Sequence, residues 1–185
     1  MNAPVIRYSG HHIGISERDG WEYAMRTNAS AVVVLVPVTA QDELVLVEQY
    51  RIPVQAQVIE LPAGLVGDLH DPDEQMLTAA HRELEEETGV PAQKVQILAE
   101  TPGWIPYELP ADLIPLLWGG KYRGQKQKWF LMRFLGEDSD VNIDTDDPEF
   151  SAWKWIAPAD LPEAIVSFKR DVYRSVLAAF KEHLP

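Results

Sequence analysis

The sequence contains no cysteine among its 185 residues, which excludes disulfide bonds and thiolate metal sites. It also lacks a long apolar run, because the longest such stretch, residues 29–38, is far too short to span a bilayer. The N-terminal stretch MNAPVIRYSGHHIGIS has no apolar core of the kind found in signal peptides. We therefore predict a cytoplasmic protein with no membrane partner.

Positive charge is scarce as well, because 16 Lys and Arg stand against 29 Asp and Glu and the net charge is −13. Non-specific binding to a nucleic-acid backbone requires clustered Lys and Arg, so we expect no DNA partner. A phosphorylated small molecule remains compatible with this charge if a metal ion supplies the positive counterpart. A hydrophobic fraction of 46% and a charged fraction of 24% are ordinary for a soluble globular protein.

The chain is organised around RELEEETGV, residues 82–90, where four of five successive positions are glutamate. On a helix, Glu83, Glu86 and Glu87 share one face, because residues three and four apart are neighbours. Like charges at this spacing repel, and a hard cation such as Mg²⁺ would offset the repulsion. The alternative interpretation is a solvated acidic helix face.

The residues before this stretch predict a helix over residues 72–88. Asp71 is suited to the N-cap, Pro72 to the first helical position and Glu74 to a capping box, and Gly89 follows the last turn. An apolar stripe is predicted on the opposite face, formed by Met76, Leu77, Ala79, Ala80 and Leu84. The glutamates then lie at a helix C-terminus, which already disfavours anions, and this double penalty favours a functional role.

Strands and helices elsewhere alternate without a regular βαβ repeat, which favours an α+β fold with a mixed sheet. We expect strands near residues 21–27, 31–38, 44–49, 58–61, 93–100, 127–135 and 152–156, and helices near 158–167 and 169–183. Residues 101–125 are too long for a simple connection and predict a functional loop. Of Trp153 and Trp155, we expect at most one to face a cleft.

The acidic stretch and its flank resemble the Nudix box. That pattern is a glycine, five residues, a glutamate, seven residues, then Arg-Glu-aliphatic-x-Glu-Glu-x-Gly-aliphatic. Glu74 is followed after seven residues by Arg82, and the rest fits through Val90. If Gly64 is the box glycine, nine residues separate it from Glu74, which we interpret as a four-residue insertion in the loop before the helix.

The resemblance implies an α/β/α sandwich around a mixed β-sheet over residues 29–185, with residues 1–28 as an N-terminal extension. It implies hydrolysis of a nucleoside diphosphate linked to another group, with Mg²⁺ as cofactor and Mn²⁺ as the alternative. Its metal ligands would be Glu83, Glu86, Glu87 and a backbone carbonyl at Ala63 or Gly64. Arg82 would pair with Glu74 and hold the loop to the helix.

The flanks of the box resemble different branches of the family. In front, EQYR and ELPAG are similar to ADP-ribose and nucleotide-sugar pyrophosphatases, where Arg51 would contact a phosphate or ribose and Glu60 would lie near the metal. Behind, WIPYELP, GQKQKWF, PEF, WKW and SFKRDVY are similar to bacterial RNA pyrophosphohydrolases and dinucleoside polyphosphate hydrolases. This second resemblance assigns further roles: Glu149 as a metal ligand, Tyr107 and Phe168 as base contacts, and Lys169 as a phosphate contact.

Three functions are compatible with these residues. The favoured one is cleavage of a phosphoanhydride bond in a dinucleoside polyphosphate or at a 5′-triphosphate RNA end. The second is the same chemistry on ADP-ribose or a nucleotide sugar, and the third is a non-catalytic nucleotide-sensing module. The RNA-processing branch implies a monomer, and the nucleotide-sugar branch implies a homodimer. The general base is left open among Glu87, Glu108 and Glu149.

Overall fold

The computed structural model describes residues 3–10, 13–27, 29–52, 55–67, 71–108, 124–145 and 148–184. Within these ranges, every helix is too short or too polar to serve as a membrane span. Three strands form a small antiparallel sheet at the N-terminus: β1 (Val5–Ser9), β2 (Ile13–Arg18) and β3 (Trp21–Arg26).

The remaining strands form one larger mixed sheet. Its strands are β4 (Ala31–Val38), β5 (Leu44–Arg51), β6 (Ala56–Glu60), β7 (Ala63–Val66), β8 (Val95–Glu100), β9 (Ile105–Glu108), β10 (Gly124–Phe134) and β11 (Ala152–Ile156). The order is β11-β5-β4-β10-β8, with β6 on β5, β7 on β4 and β9 on β10. Strands β4 and β10 run parallel, and the other pairings of this sheet are antiparallel.

Two hydrophobic cores lie on opposite faces of this sheet. Along β4, Val33 and Leu35 face one core, whereas Val34 and Val36 face the other, because successive side chains of a strand alternate. Helix α1 (Met76–Thr88) covers the first face, and helices α2 (Leu161–Ala164) and α3 (Arg170–Ala179) cover the second. The predicted α/β/α sandwich around a mixed sheet is confirmed, and burial on both faces explains the unbroken apolar run of β4.

Helix α1 begins four residues later than the sequence predicts. It starts at Met76 after Gln75, and none of the described residues caps it through a side chain. The predicted capping box was wrong because the Glu74 carboxylate accepts hydrogen bonds from Arg82 and from the Gly67 amide instead. The apolar stripe is buried at Ala79, Ala80 and Leu84, as expected, whereas Leu77 is exposed.

One further helix prediction required correction, and the two tryptophans of β11 are now placed. The predicted helix over residues 158–167 is a 3₁₀ turn (Pro158–Asp160) followed by the short α2, and Ile165 is extended. Trp153 and Trp155 lie on the same face of β11 and pack against the core beneath α1, with ring centroids 5.4 Å apart. Residues two apart on a strand share a face, so both tryptophans pack against this core, which agrees with the expectation that at most one would face a cleft.

Gly89 ends α1 in the left-handed conformation, with φ 71°, as predicted for the residue after the last turn. Its amide donates to the Glu85 carbonyl at 2.8 Å. A Cβ atom at this position would lie 2.6 Å from the carbonyl oxygen of Asn142. Both the backbone conformation and the neighbouring chain therefore require glycine where the acidic turn ends.

We predict that Gly89→Ala destabilises the protein by about 1–2 kcal/mol through the left-handed conformation alone, and further through the contact with Asn142. The matched control is Gly20→Ala, since Gly20 also has a positive φ, 83°, but a Cβ there meets nothing within 4 Å. Urea unfolding monitored by circular dichroism measures both. A loss at Gly89 no larger than at Gly20 would contradict the role assigned to Asn142.

Candidate active site

Three glutamates reach from the helical side of the site to the backbone of β7 and the residue after it. The amide of Ala63 donates to Glu87 Oε2 at 3.0 Å, and the amide of Leu65 to Glu83 Oε1 at 2.8 Å. Two residues further, the amide of Gly67 donates to Glu74 Oε2 at 2.8 Å. Amides two residues apart on a strand point to the same edge, so this edge of β7 is satisfied by carboxylates rather than by another strand.

Gly64 allows the Glu83 carboxylate to lie against β7. A Cβ atom at residue 64 would fall 1.8 Å from the carboxyl carbon of Glu83, which is overlap rather than contact. Glu83 is only 7% exposed. The glycine is therefore required by the close approach of this carboxylate to the strand.

Arg82 connects the loop after β7 to the acidic turn. Its Nε donates to Glu74 Oε1 at 3.0 Å, its Nη2 to the Leu65 carbonyl at 2.7 Å, and its Nη1 to Glu86 Oε2 at 2.8 Å. Its Nη1 also lies 3.0 Å from Glu83 Oε1. One guanidinium thus contacts three carboxylates and a backbone carbonyl, using the several fixed donors that distinguish arginine.

The contacts of Arg82 shift the pKa values of both Arg82 and Glu74. Hydrogen bonding to Arg82 lowers the pKa of Glu74 despite partial burial. Burial acts to lower the pKa of Arg82, but the hydrogen bond to Glu74 and the charges of Glu83 and Glu86 outweigh it and raise this pKa. Glu74 also binds the Gly67 amide, so the two ends of the loop that contains the insertion are held together. The insertion therefore does not separate Glu74 from Arg82.

Glu87 has the most unfavourable environment of the acidic turn. Burial raises its pKa well above the usual value, and the charges of Glu83, Glu149 and Glu60 raise it further against the hydrogen bond from Ala63. Glu149, which lies in the segment before β11, is therefore near Glu87. Glu85, in contrast, is exposed on the other side of the turn, as expected.

Glu149 is exposed, and its segment is anchored two residues later. The Ser151 amide donates to the Glu48 carbonyl of β5 at 2.8 Å, and the Ser151 hydroxyl reaches the same oxygen at 3.2 Å. Glu108, the other open candidate for the general base, is an exposed residue at the end of β9.

Arg51 and Lys169, the two cations predicted to contact substrate, meet on Glu60. Arg51 Nη2 lies 2.5 Å from Glu60 Oε2, and Lys169 Nζ lies 2.5 Å from Glu60 Oε1. Burial acts to raise the pKa of Glu60, but the charges and hydrogen bonds of Lys169 and Arg51 lower it overall. Residues from the two flanks of the box are thereby joined.

The two predicted base contacts are placed less completely. Tyr107 lies on β9 opposite Gln125 of β10, and its side chain falls outside the described part of the structure. Phe168 is half-buried in the 3₁₀ turn (Ser167–Lys169) that precedes α3.

The donor chemistry of the acidic turn fits a hard divalent cation, which takes carboxylate oxygens. Glu87 is half-buried, and burial together with the charges of three other carboxylates raises its pKa, so a cation would relieve the repulsion among these groups. Across the described ranges, no group of three His, Asp or Glu side chains already converges in a metal-holding arrangement. In the same turn, Glu86 pairs with Arg82 and Glu83 accepts from the Leu65 amide.

Comparison with known proteins agrees with this geometry. The family model described as "NUDIX domain" matches residues 27–176. The chain therefore belongs to the Nudix family, and it is a Nudix hydrolase. Members of this family generally use divalent metal ions and act on nucleotide-type substrates.

Relatives agree with the family assignment, and solved structures agree with the fold. The chain is 58% identical over 125 residues to an RNA pyrophosphohydrolase of Roseobacter denitrificans, covering 68% of this chain and 76% of that protein. It is 45% identical over 157 residues to an RNA pyrophosphohydrolase of Pelagibacter ubique, covering 85% and 92%. Its fold is similar to that of a C. elegans Ap4A hydrolase in a binary complex, with TM-score 0.55 at 20% identity over 80% of this chain and 96% of that one. An ADP compounds hydrolase gives TM-score 0.57 at 20% identity over 98% and 94%.

Sequence reasoning missed the backbone half of this site. The Leu65 amide binds Glu83, the Gly67 amide binds Glu74, and the Leu65 carbonyl binds Arg82. These are backbone groups, so no side chain in the sequence marks them. The Glu60 contacts were also missed, although Glu60 itself was expected near the metal. The available signal was the acidic Glu60 nine residues after the predicted cation Arg51.

We predict that Glu87→Gln raises the melting temperature of the metal-free protein at neutral pH, measured in the presence of a chelator. A carboxyl whose folded-state pKa is raised stabilises the fold below its unfolded-state pKa, and this contribution is lost as pH rises through the folded-state pKa. The amide does not titrate and keeps an oxygen for the Ala63 amide. The gain over wild type should therefore grow as pH rises above about 4.5, and each kcal/mol corresponds to about 2–4 °C.

Glu85→Gln is the control for this stability experiment, because Glu85 is exposed on the same turn. It should leave the melting temperature unchanged. A melting temperature of Glu87→Gln at or below that of wild type at pH 8 would be inconsistent with a strained Glu87 carboxylate.

Proposed function

We propose that this Nudix hydrolase cleaves a phosphoanhydride bond at the 5′-triphosphate end of RNA with Mg²⁺ as cofactor. The observation that carries this proposal is the 58% identity to an RNA pyrophosphohydrolase, which extends over 76% of that relative. The flank behind the box contains the residues assigned to the base and to a phosphate, which agrees with a nucleotide end as the substrate.

The net charge of −13 limits how much of the RNA is bound. Contact along an RNA backbone requires clustered Lys and Arg, and this chain has 16 such residues against 29 acidic ones. Recognition of the terminal nucleotide and its phosphates, rather than of a long strand, therefore suits the protein. A dinucleoside polyphosphate is also compatible, because it presents a nucleotide and its phosphates without a long strand.

The roles proposed for the residues rest on the resemblance of the box and of its flanks. The metal ligands are Glu83, Glu86, Glu87, Glu149 and the carbonyl of Ala63. These residues would hold Mg²⁺, which would supply positive charge to the phosphates and lower the pKa of a water molecule.

The remaining residues organise the site around these ligands. Arg82 and Glu74 hold the loop after β7 against α1 through the contacts described above, which keeps the Ala63 and Gly64 backbone beside the glutamates. Tyr107 and Phe168 contact the terminal base, since aromatic rings stack on bases. Arg51 and Lys169 bind phosphate oxygens.

A hydrolysis panel with Mg²⁺ and resolved products tests the substrate. It compares a 5′-triphosphorylated RNA oligonucleotide, diadenosine polyphosphates, ADP-ribose and GDP-mannose. We expect the triphosphorylated RNA to have the highest kcat/KM. Faster turnover of ADP-ribose than of every polyphosphate would reverse the assignment in favour of the branch that the front flank resembles.

We predict that Glu86→Gln lowers kcat by about 100-fold or more, because metal-ion stabilisation of the transition state contributes several kcal/mol. Glu86 is exposed, and a glutamine there keeps an oxygen for Arg82, so circular dichroism and the melting temperature should change little. Glu85→Gln is the matched control and should retain full turnover. Near-normal turnover of Glu86→Gln would rule out the ligand role.

A further inference from the structure

Glu60 carries two cations that come from distant parts of the chain. Arg51, at the end of β5, donates from Nε and Nη2 to Glu60 Oε2, at 3.0 and 2.5 Å. Lys169, in the turn before α3, donates to Glu60 Oε1 at 2.5 Å. Each carboxylate oxygen thus holds one cation.

The carboxylate is more shielded from solvent than an ordinary surface ion pair. The side chains of Glu60 and Lys169 are 13% and 16% exposed, whereas Arg51 is 48% exposed. In a partly desolvated setting charge-assisted hydrogen bonds are short and directional, so they fix the side chains that they join. Lysine and arginine otherwise lose rotamer freedom when a ligand holds them in one conformation.

This cluster borders the acidic turn. The Glu60 charge is one of those that raise the pKa of Glu87, and only Leu61 and Pro62 separate Glu60 from Ala63, whose amide binds Glu87. The chain therefore passes directly from the carboxylate that holds the two cations to the strand that holds the glutamates.

We propose that Glu60 is a positioning residue, which holds Arg51 and Lys169 together as a two-cation clamp for a substrate phosphate next to the glutamate site. The inference deepens the proposed function and rests on it. A carboxylate that fixes both cations in advance removes the entropy loss that the substrate would otherwise have to offset on binding. The alternative is a brace that only ties β5, β6 and the turn before α3 together.

The test compares Glu60→Gln with wild type in steady-state hydrolysis of a 5′-triphosphorylated RNA oligonucleotide. We expect KM to rise about 10-fold, equivalent to about 1.4 kcal/mol, with kcat changed less than about 2-fold, since the clamp binds substrate and transition state alike. Glu60→Asp, which keeps the charge on a shorter side chain, should restore part of the affinity. A brace would lower the melting temperature and leave KM unchanged.

A double-mutant cycle shows whether Glu60 acts through Lys169. In the Lys169→Ala background, Glu60→Gln should raise KM less than it does in wild type, because one of the two cations it positions is already absent. Fully additive effects on KM would overturn the proposal. So would an unchanged or lower KM in Glu60→Gln, which would mean that the carboxylate competes with the phosphate.

Glu163→Gln is the matched control. Glu163 also bridges two cations, Arg170 at 3.1 Å and Arg174 at 3.2 Å, but its side chain is 61% exposed. The same loss of charge at this pair should leave KM and kcat unchanged. A rise in KM there equal to that of Glu60→Gln would show that the effect is a general consequence of net charge and would overturn the proposal.

Failure of the proposed function can be distinguished from failure of this inference. If wild type hydrolyses ADP-ribose but not triphosphorylated RNA, the substrate assignment fails, and KM for ADP-ribose in the same variants decides the role of Glu60. If neither is hydrolysed, the dissociation constant of inorganic tripolyphosphate with Mg²⁺, measured by calorimetry, decides it. Equal dissociation constants for wild type and Glu60→Gln would then reject the clamp.

Discussion

Arg82 donates hydrogen bonds to Glu74, to the carbonyl of Leu65 and to Glu86, and the geometry of the site depends on this one guanidinium. It brings the two ends of the loop before α1 together, although this loop is four residues longer than the pattern that the sequence resembles. The contact also explains why α1 starts late, because a carboxylate committed to Arg82 cannot cap a helix. Loop closure and helix start are therefore two results of one ion pair.

The free edge of β7 constrains two further glutamates, Glu83 and Glu87. Its outward amides need partners, and Glu87 and Glu83 supply them, so the bonds that complete the sheet also orient the glutamates. Gly64 permits the approach by having no side chain. The arrangement places carboxylates close together at a helix C-terminus and raises the pKa of Glu87. Stability is reduced at the same point where a divalent cation is most strongly favoured.

The two flanks of the box resemble different branches of the family, yet in the folded chain they are not separate. Arg51 and Glu60 belong to the front flank and Lys169 to the back flank, and all three form one cluster beside the acidic turn. The residues proposed to bind the substrate phosphate therefore come from both flanks, although each flank by itself resembles a different branch.

Local periodicity by itself determined much of this protein: the β4 strand, the buried face of α1, its end at Gly89, and the grouping of Glu83, Glu86 and Glu87. These features depend on spacings of a few residues, which a sequence displays directly. Only the tertiary structure decided where α1 begins and which backbone amides hold the glutamates. It also decided that Glu60, which contacts Arg51, reaches Lys169 across 109 positions. Backbone groups carry no side-chain signature, and contacts between distant residues arise only when the sheet brings their strands together.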